Sequence, residues 1–229
     1  MNYFAPFIAS LTIVLPVLAD TPLINFSSND IVPEYVQNNT ASNNGFGLGF
    51  TFTVVDPITV TSLGIFNGVS GLQSSHTVAL YQVNSPSTGT LLSSATIGPG
   101  DTAIGSFVYK AIDSIVLNPG TYELMTSYMT SNPDAYTHDP LNLAIDPRII
   151  FGQNRTLSGN NDGSGNVSAG LPVYLTDANV EIHPSLDKGW FGPNLLSVEV
   201  PEPATFITVL SLSALALGRK YSKAAKKPN

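Results

Sequence analysis

Residues 46–54 read Phe46-Gly47-Leu48-Gly49-Phe50-Thr51-Phe52-Thr53-Val54. Large apolar side chains take every second position, and glycine or threonine fills the places between. In an extended chain successive side chains point to opposite faces. A period of two therefore sets one apolar face against a core and leaves a lighter face outside, which predicts a half-buried strand.

The same texture recurs on both sides of this stretch. Residues 76–83 are apolar on both faces, Val78 and Leu80 against Ala79, Tyr81 and Val83, as suits a central strand. Leu91, Ala95 and Ile97 alternate less cleanly, Phe107, Tyr109 and Ala111 more so, and Tyr122, Leu124 and Tyr128 continue the pattern. Turn signals separate these runs: Asn67-Gly68, residues 86–89, Pro99-Gly100, Asn118-Pro119-Gly120 and Asn132-Pro133-Asp134. Residues 195–200 form a candidate closing strand after Trp190-Phe191-Gly192-Pro193-Asn194. Strands at this spacing, with no helical period between them, predict an all-β fold, an antiparallel β-sandwich of jelly-roll kind, over residues 20–199.

Composition agrees with that class. Only 11% of the 229 residues are charged, while glycine and proline number 19 and 17. With no cysteine, disulfides, thiolate metal sites and thiol nucleophiles are excluded. Residues 20–199 hold fifteen acidic side chains against Lys110, Arg148, Arg155 and Lys188, so this body would repel phosphates and no nucleic-acid partner is expected. The other five of the nine cations crowd into the last eleven residues.

Both ends read as processing segments. Residues 4–18 form an uncharged, mostly apolar run, and Val17-Leu18-Ala19 offers small residues before a cut between Ala19 and Asp20. Residues 1–19 are therefore expected to be a signal peptide with a helical apolar stretch; a buried strand or an uncleaved anchor is the alternative. At the other end residues 204–218, with Phe206, Leu210, Leu212, Leu215 and Leu217, make a fifteen-residue apolar run, short of the roughly 20 that span a bilayer comfortably. Arg219, Lys220 and Lys223 behind it fit a stop-transfer cluster on the cytoplasmic side. Pro201 and Pro203 in front keep the chain extended between body and helix. The competing reading, a core or amphipathic helix, would set five cations beside buried surface.

Val200-Pro201-Glu202-Pro203-Ala204-Thr205, the apolar run and the basic end together resemble the PEP-CTERM sorting signal of exported bacterial proteins. That resemblance covers residues 200–229. It implies Pro201, Glu202 and Pro203 as the triplet recognised by an exosortase-type processing protease, with the helix held in the membrane while the chain is cut. It also implies a place on the cell surface or in the extracellular matrix of a biofilm-forming Gram-negative bacterium. A sortase signal would need Leu-Pro-x-Thr-Gly, and a GPI signal would end in its apolar tail. Residues 62–66, 71–72, 75–81, 91–96, 107–109, 119–122 and 190–194 are similar to exported DUF4082-type domains, a likeness that spans residues 45–197 and implies a β-sandwich without established catalytic residues.

Signals for chemistry are sparse. His76, His138 and His183 stand far apart, and Ser75 next to His76 falls on the opposite face of a strand, which favours a structural or solvent-exposed histidine over a nucleophile–base pair. Gly45-Phe46-Gly47-Leu48-Gly49 lacks dinucleotide-loop spacing, and no Gly-x-Ser-x-Gly elbow is present. Asp134 and Asp139, flanking Tyr136 and His138, and separately residues 160–166, could take a hard cation such as Ca²⁺ through oxygens, but neither set follows the EF-hand order. The expectation is a non-enzymatic protein without catalytic, metal or cofactor site. The rivals are a carbohydrate-binding module for exopolysaccharide, built on Trp190 with Tyr81, Tyr128, Tyr136 and Tyr174, and a secreted hydrolase.

Overall fold

The structure, a computed structural model, describes residues 19–27, 36–38, 46–128, 134–138, 140–158, 174, 181–183 and 190–199. These residues hold strands and turns and no helix. In chain order the strands are β1 (Thr21–Pro22), β2 (Ile24–Asn25), β3 (Val36–Asn38), β4 (Phe46–Val54), β5 (Ile58–Phe66) and β6 (His76–Ser85). Next come β7 (Thr88–Ile97), β8 (Thr102–Ile104), β9 (Phe107–Leu117), β10 (Gly120–Tyr128) and β11 (Ala135–His138). The rest are β12 (Ala144–Ile145), β13 (Ile149–Ser158), β14 (Glu181–His183), β15 (Trp190–Phe191) and β16 (Pro193–Glu199).

All pairings among them are antiparallel. One large sheet runs β1-β16-β5-β9-β8 and the other β14-β13-β4-β10-β6-β7, with a small β15-β11-β3 sheet and a β12-β2 pair beside them. A single apolar cluster joins the large sheets: Leu63, Ile65 and Leu195 from the first, Phe50, Phe52, Leu80 and Leu124 from the second. Burying such side chains stabilises by roughly 1.5–3 kcal/mol each, which is what drives the two sheets together.

The run that opened the reading is β4, with the bounds its alternation predicts, but it is not half-buried. Gly49 and Thr51 are enclosed along with Phe50 and Phe52. The small residues are gaps into which neighbouring strands reach: a Cβ on Gly49 would lie 2.1 Å from the Leu124 carbonyl oxygen and 2.2 Å from Met125 Sδ. β6 lies between β10 and β7 and is closed on both faces as far as Tyr81, as its two-faced apolar pattern requires. β7 forms the edge of its sheet and is mostly exposed, which accounts for its weaker alternation. The closing strand is β16, and it lies inside its sheet, between β1 and β5.

Among the described residues no helix is long and apolar enough to cross a membrane. The expected signal helix and C-terminal membrane helix lie outside the described residues.

Candidate functional site

A dense polar cluster sits where the β5–β6 loop meets the residue preceding β11. Asp134, only 4% exposed, accepts hydrogen bonds from the Gln73 amide on Oδ1 and from the Ser74 amide on Oδ2, at 2.5 and 2.8 Å. The Ser74 hydroxyl donates to Oδ2 at 2.6 Å, and His76 Nε2 lies 3.0 Å from the same oxygen. The other ring nitrogen of His76 faces the Ser127 carbonyl at 3.3 Å, and the ring packs on Tyr128 with centroids 4.8 Å apart. Both partners of the imidazole are oxygen acceptors.

Local sequence explains how the loop reaches this geometry. Gly68 and Gly71 adopt φ of +64° and +78°, values that side-chain-bearing residues rarely take, and the Asn67 side chain accepts the Leu72 amide to close the turn. Ser74 and His76 are two apart and share a face, whereas Ser75 is exposed on the other.

A Ser, an Asp and a His thus converge, but in an order unlike that of a nucleophile–base set. The serine donates to the carboxylate, not to the imidazole, and the imidazole is 1% exposed with both nitrogens engaged. The cluster fastens two chain segments. Burial alone would raise the pKa of Asp134; the bonds from Ser74, Gln73 and His76 outweigh it and hold the carboxyl below its ordinary 3.8. The Tyr128 phenol, fully buried and facing Asp134, is pushed well above its ordinary range by that burial first and the carboxylate second.

A second polar centre lies on the face of the six-stranded sheet that carries Gly49 and Thr51. Arg155 Nη1 donates to Glu123 Oε2 at 2.8 Å, with the two side chains 5% and 0% exposed. Register places Arg155 beside Gly49 and Glu123 beside Thr51, so the guanidinium reaches across a position that has no side chain. Tyr81, opposite Glu123 on β6, meets Tyr174 edge-on at 5.8 Å, and its pKa is raised by burial and then by the Glu123 charge. A third centre, Asp146 with Arg148, ties the β12–β13 turn to Ser197 of β16; Arg148 Nε donates to Asp146 Oδ1 at 2.8 Å and Nη2 to Ser197 Oγ at 3.1 Å.

The residues singled out from sequence fall as follows. Ala19 and Asp20 are exposed just before β1, and Asp20 Oδ1 accepts the Thr61 hydroxyl at 2.8 Å. Pro201, Glu202, Pro203, Phe206, Leu210, Leu212, Leu215, Leu217, Arg219, Lys220 and Lys223 lie outside the described residues, as do Asp139 and residues 160–166. Asp134 turns both oxygens to protein donors and offers no open ligand face. Among the described residues no three His, Asp or Glu side chains gather where they could hold a metal ion. Of the candidate platform aromatics, Tyr81 and Tyr128 are buried at 6% and 0% exposure, and Tyr136 and Tyr174 are half-buried. The pairing of Asp134 with His76, 58 residues apart, was not found from sequence; the Ser74-x-His76 spacing was the available signal for its near half.

No family model matches the chain, and no curated protein matches it either.

Proposed function

We propose that this is an exported, non-enzymatic β-sandwich protein of the cell surface or extracellular matrix, carried by an N-terminal signal helix and processed through a C-terminal PEP sorting signal. The sandwich is of jelly-roll kind, and the C-terminal helix holds the chain in the membrane until an exosortase-type protease cuts near Pro201, Glu202 and Pro203. Exopolysaccharide is the matrix component such a protein would meet.

The observation that carries this reading is that every described strand lies between the two proposed cuts. The first described strand opens at Thr21, one residue after Asp20, and the last closes at Glu199, two residues before Pro201. A cut after Ala19 and a cut at the Pro-Glu-Pro triplet therefore leave every described strand whole. Ala19 and Asp20 are also exposed, as a processing site must be. The acidic body and the basic tail divide at the same boundary, which fits a body delivered outward and a tail retained inside.

Intact-mass measurement of the protein recovered from the producing cells tests this. The expected mature form starts at Asp20 and lacks residues 206–229. A surface or secreted form that still carries residues 206–229 would overturn the sorting reading.

A further inference from the structure

We infer that Asp134 and the groups gathered on it form an acid-opened latch, which releases the β5–β6 loop while both large sheets stay folded. Besides the packing of Leu72 in the core, the loop is fastened at one carboxylate. Among the described residues, every hydrogen bond from residues 68–75 to another part of the chain ends on Asp134; the remaining bonds of the loop close upon itself, at Asn67, Ser70 and Gly71. Four donors from two neighbouring stretches, the loop and the start of β6, converge on its two oxygens. A protonated carboxyl carries a hydrogen on one oxygen and cannot accept all four in place.

The groups facing the carboxylate come from each element packed around it. The loop contributes the Gln73 and Ser74 amides and the Ser74 hydroxyl, and β6 contributes His76. From β10 come Tyr128, against the imidazole, and the Ser127 carbonyl; from β11 comes Tyr136, whose ring meets Tyr128 edge-on at 5.9 Å. Both phenols are raised above their ordinary range, chiefly by burial, so neither ionises when the medium is acidified. The core that the large sheets share, with Phe50, Phe52, Leu63, Leu80 and Leu124, is apolar and does not titrate.

The sign follows from a carboxyl whose pKa is depressed in the closed state and ordinary in the open one. Its contribution to closure is complete well above 3.8 and is lost as the pH falls below that value toward the closed-state pKa. Opening then takes place in one loop, at the low-stability end of the molecule's range of local motions.

Hydrogen exchange on the whole exported protein, corrected for intrinsic rates and followed from about pH 7 to about pH 3, reads the latch directly. Protection in the peptide holding Gln73 and Ser74 should fall by about threefold to sevenfold between about pH 4 and pH 3, while β4 and β5 keep theirs. Asp134→Asn should show the loosened loop already at neutral pH, with no further acid step there. Loop and strands losing protection together, or a loop unchanged down to about pH 3, would overturn the inference. So would an Asp134→Asn protein with the wild-type pH profile. Should that variant fail to fold, the wild-type series decides alone.

Discussion

Arg155→Met should destabilise the folded body by about 3–5 kcal/mol, a drop of roughly 10 °C in Tm for a domain of this size. The reason lies in what is left behind. Glu123 is fully buried, and Arg155 Nη1 approaches it at 2.8 Å across the bare Cα of Gly49. Two charges removed from water are tolerated because each answers the other, and removing one strands its partner in a poorly solvated place. The pair itself contributes much less than this loss, since desolvation has already consumed most of the Coulomb attraction. Glu123→Leu combined with Arg155→Met should therefore stand closer to wild type than either single change. Thermal or urea unfolding of the four proteins closes the cycle. A single Arg155→Met within about 1 kcal/mol of wild type would show that the charge is reached by water after all.

This pair also marks where the sequence stops being readable. Alternation in residues 46–54 correctly placed β4 and its apolar face, because a period of two is a property of one strand alone. The other face was misread. Gly47, Gly49 and Thr51 look like the light, solvent side of a half-buried strand, whereas they leave room for Arg155 and Met125 from the two strands alongside. Small residues opposite large neighbours and small residues facing water leave the same imprint on a single strand. Only register separates them, and register is a relation between segments 32 residues apart for Glu123 and Arg155.

The candidate site follows the same division. Asp134 and His76 both stood out in the sequence, the one in a polar loop whose oxygens could take a hard cation and the other as a structural or solvent-exposed histidine. Their contact spans 58 positions and depends on β10 carrying the chain from one to the other. His76 is buried with both ring nitrogens engaged, and protein donors fill the Asp134 oxygens that a cation would need. The two processing signals are of another kind. As proposed here they are written in consecutive residues, so reading them does not depend on the fold.

Asn194→Leu should cost about 3–4 kcal/mol, although it replaces a buried amide by a side chain of similar size. Asn194 is fully buried on β16, and its amide uses both ends. Nδ2 donates to the Ile24 carbonyl at 2.6 Å and to the Tyr109 hydroxyl at 3.0 Å. Oδ1 accepts the Ile24 amide at 3.2 Å and the Leu195 amide at 2.9 Å. A leucine satisfies none of these groups. A buried donor or acceptor left without a partner costs about 1–3 kcal/mol, set against a gain of apolar contact for leucine that is smaller than the sum. The damage should be directional, because Asn194 is what holds the backbone of Ile24 on both its amide and carbonyl sides. The N-terminal stretch with β1 and β2 should therefore loosen first, seen as hydrogen exchange at residues 21–26 rising more than in β4 or β10. Asn194→Asp keeps the acceptor and loses the donor, so it should retain the Leu195 and Ile24 amide contacts yet still release the Ile24 carbonyl. If Asn194→Leu left residues 21–26 protected as in wild type, the N-terminal stretch would be held by the packing of Leu23, Ile24 and Phe26 and by its backbone bonds to Leu195 and Asp146, and the amide would be a passenger in the core.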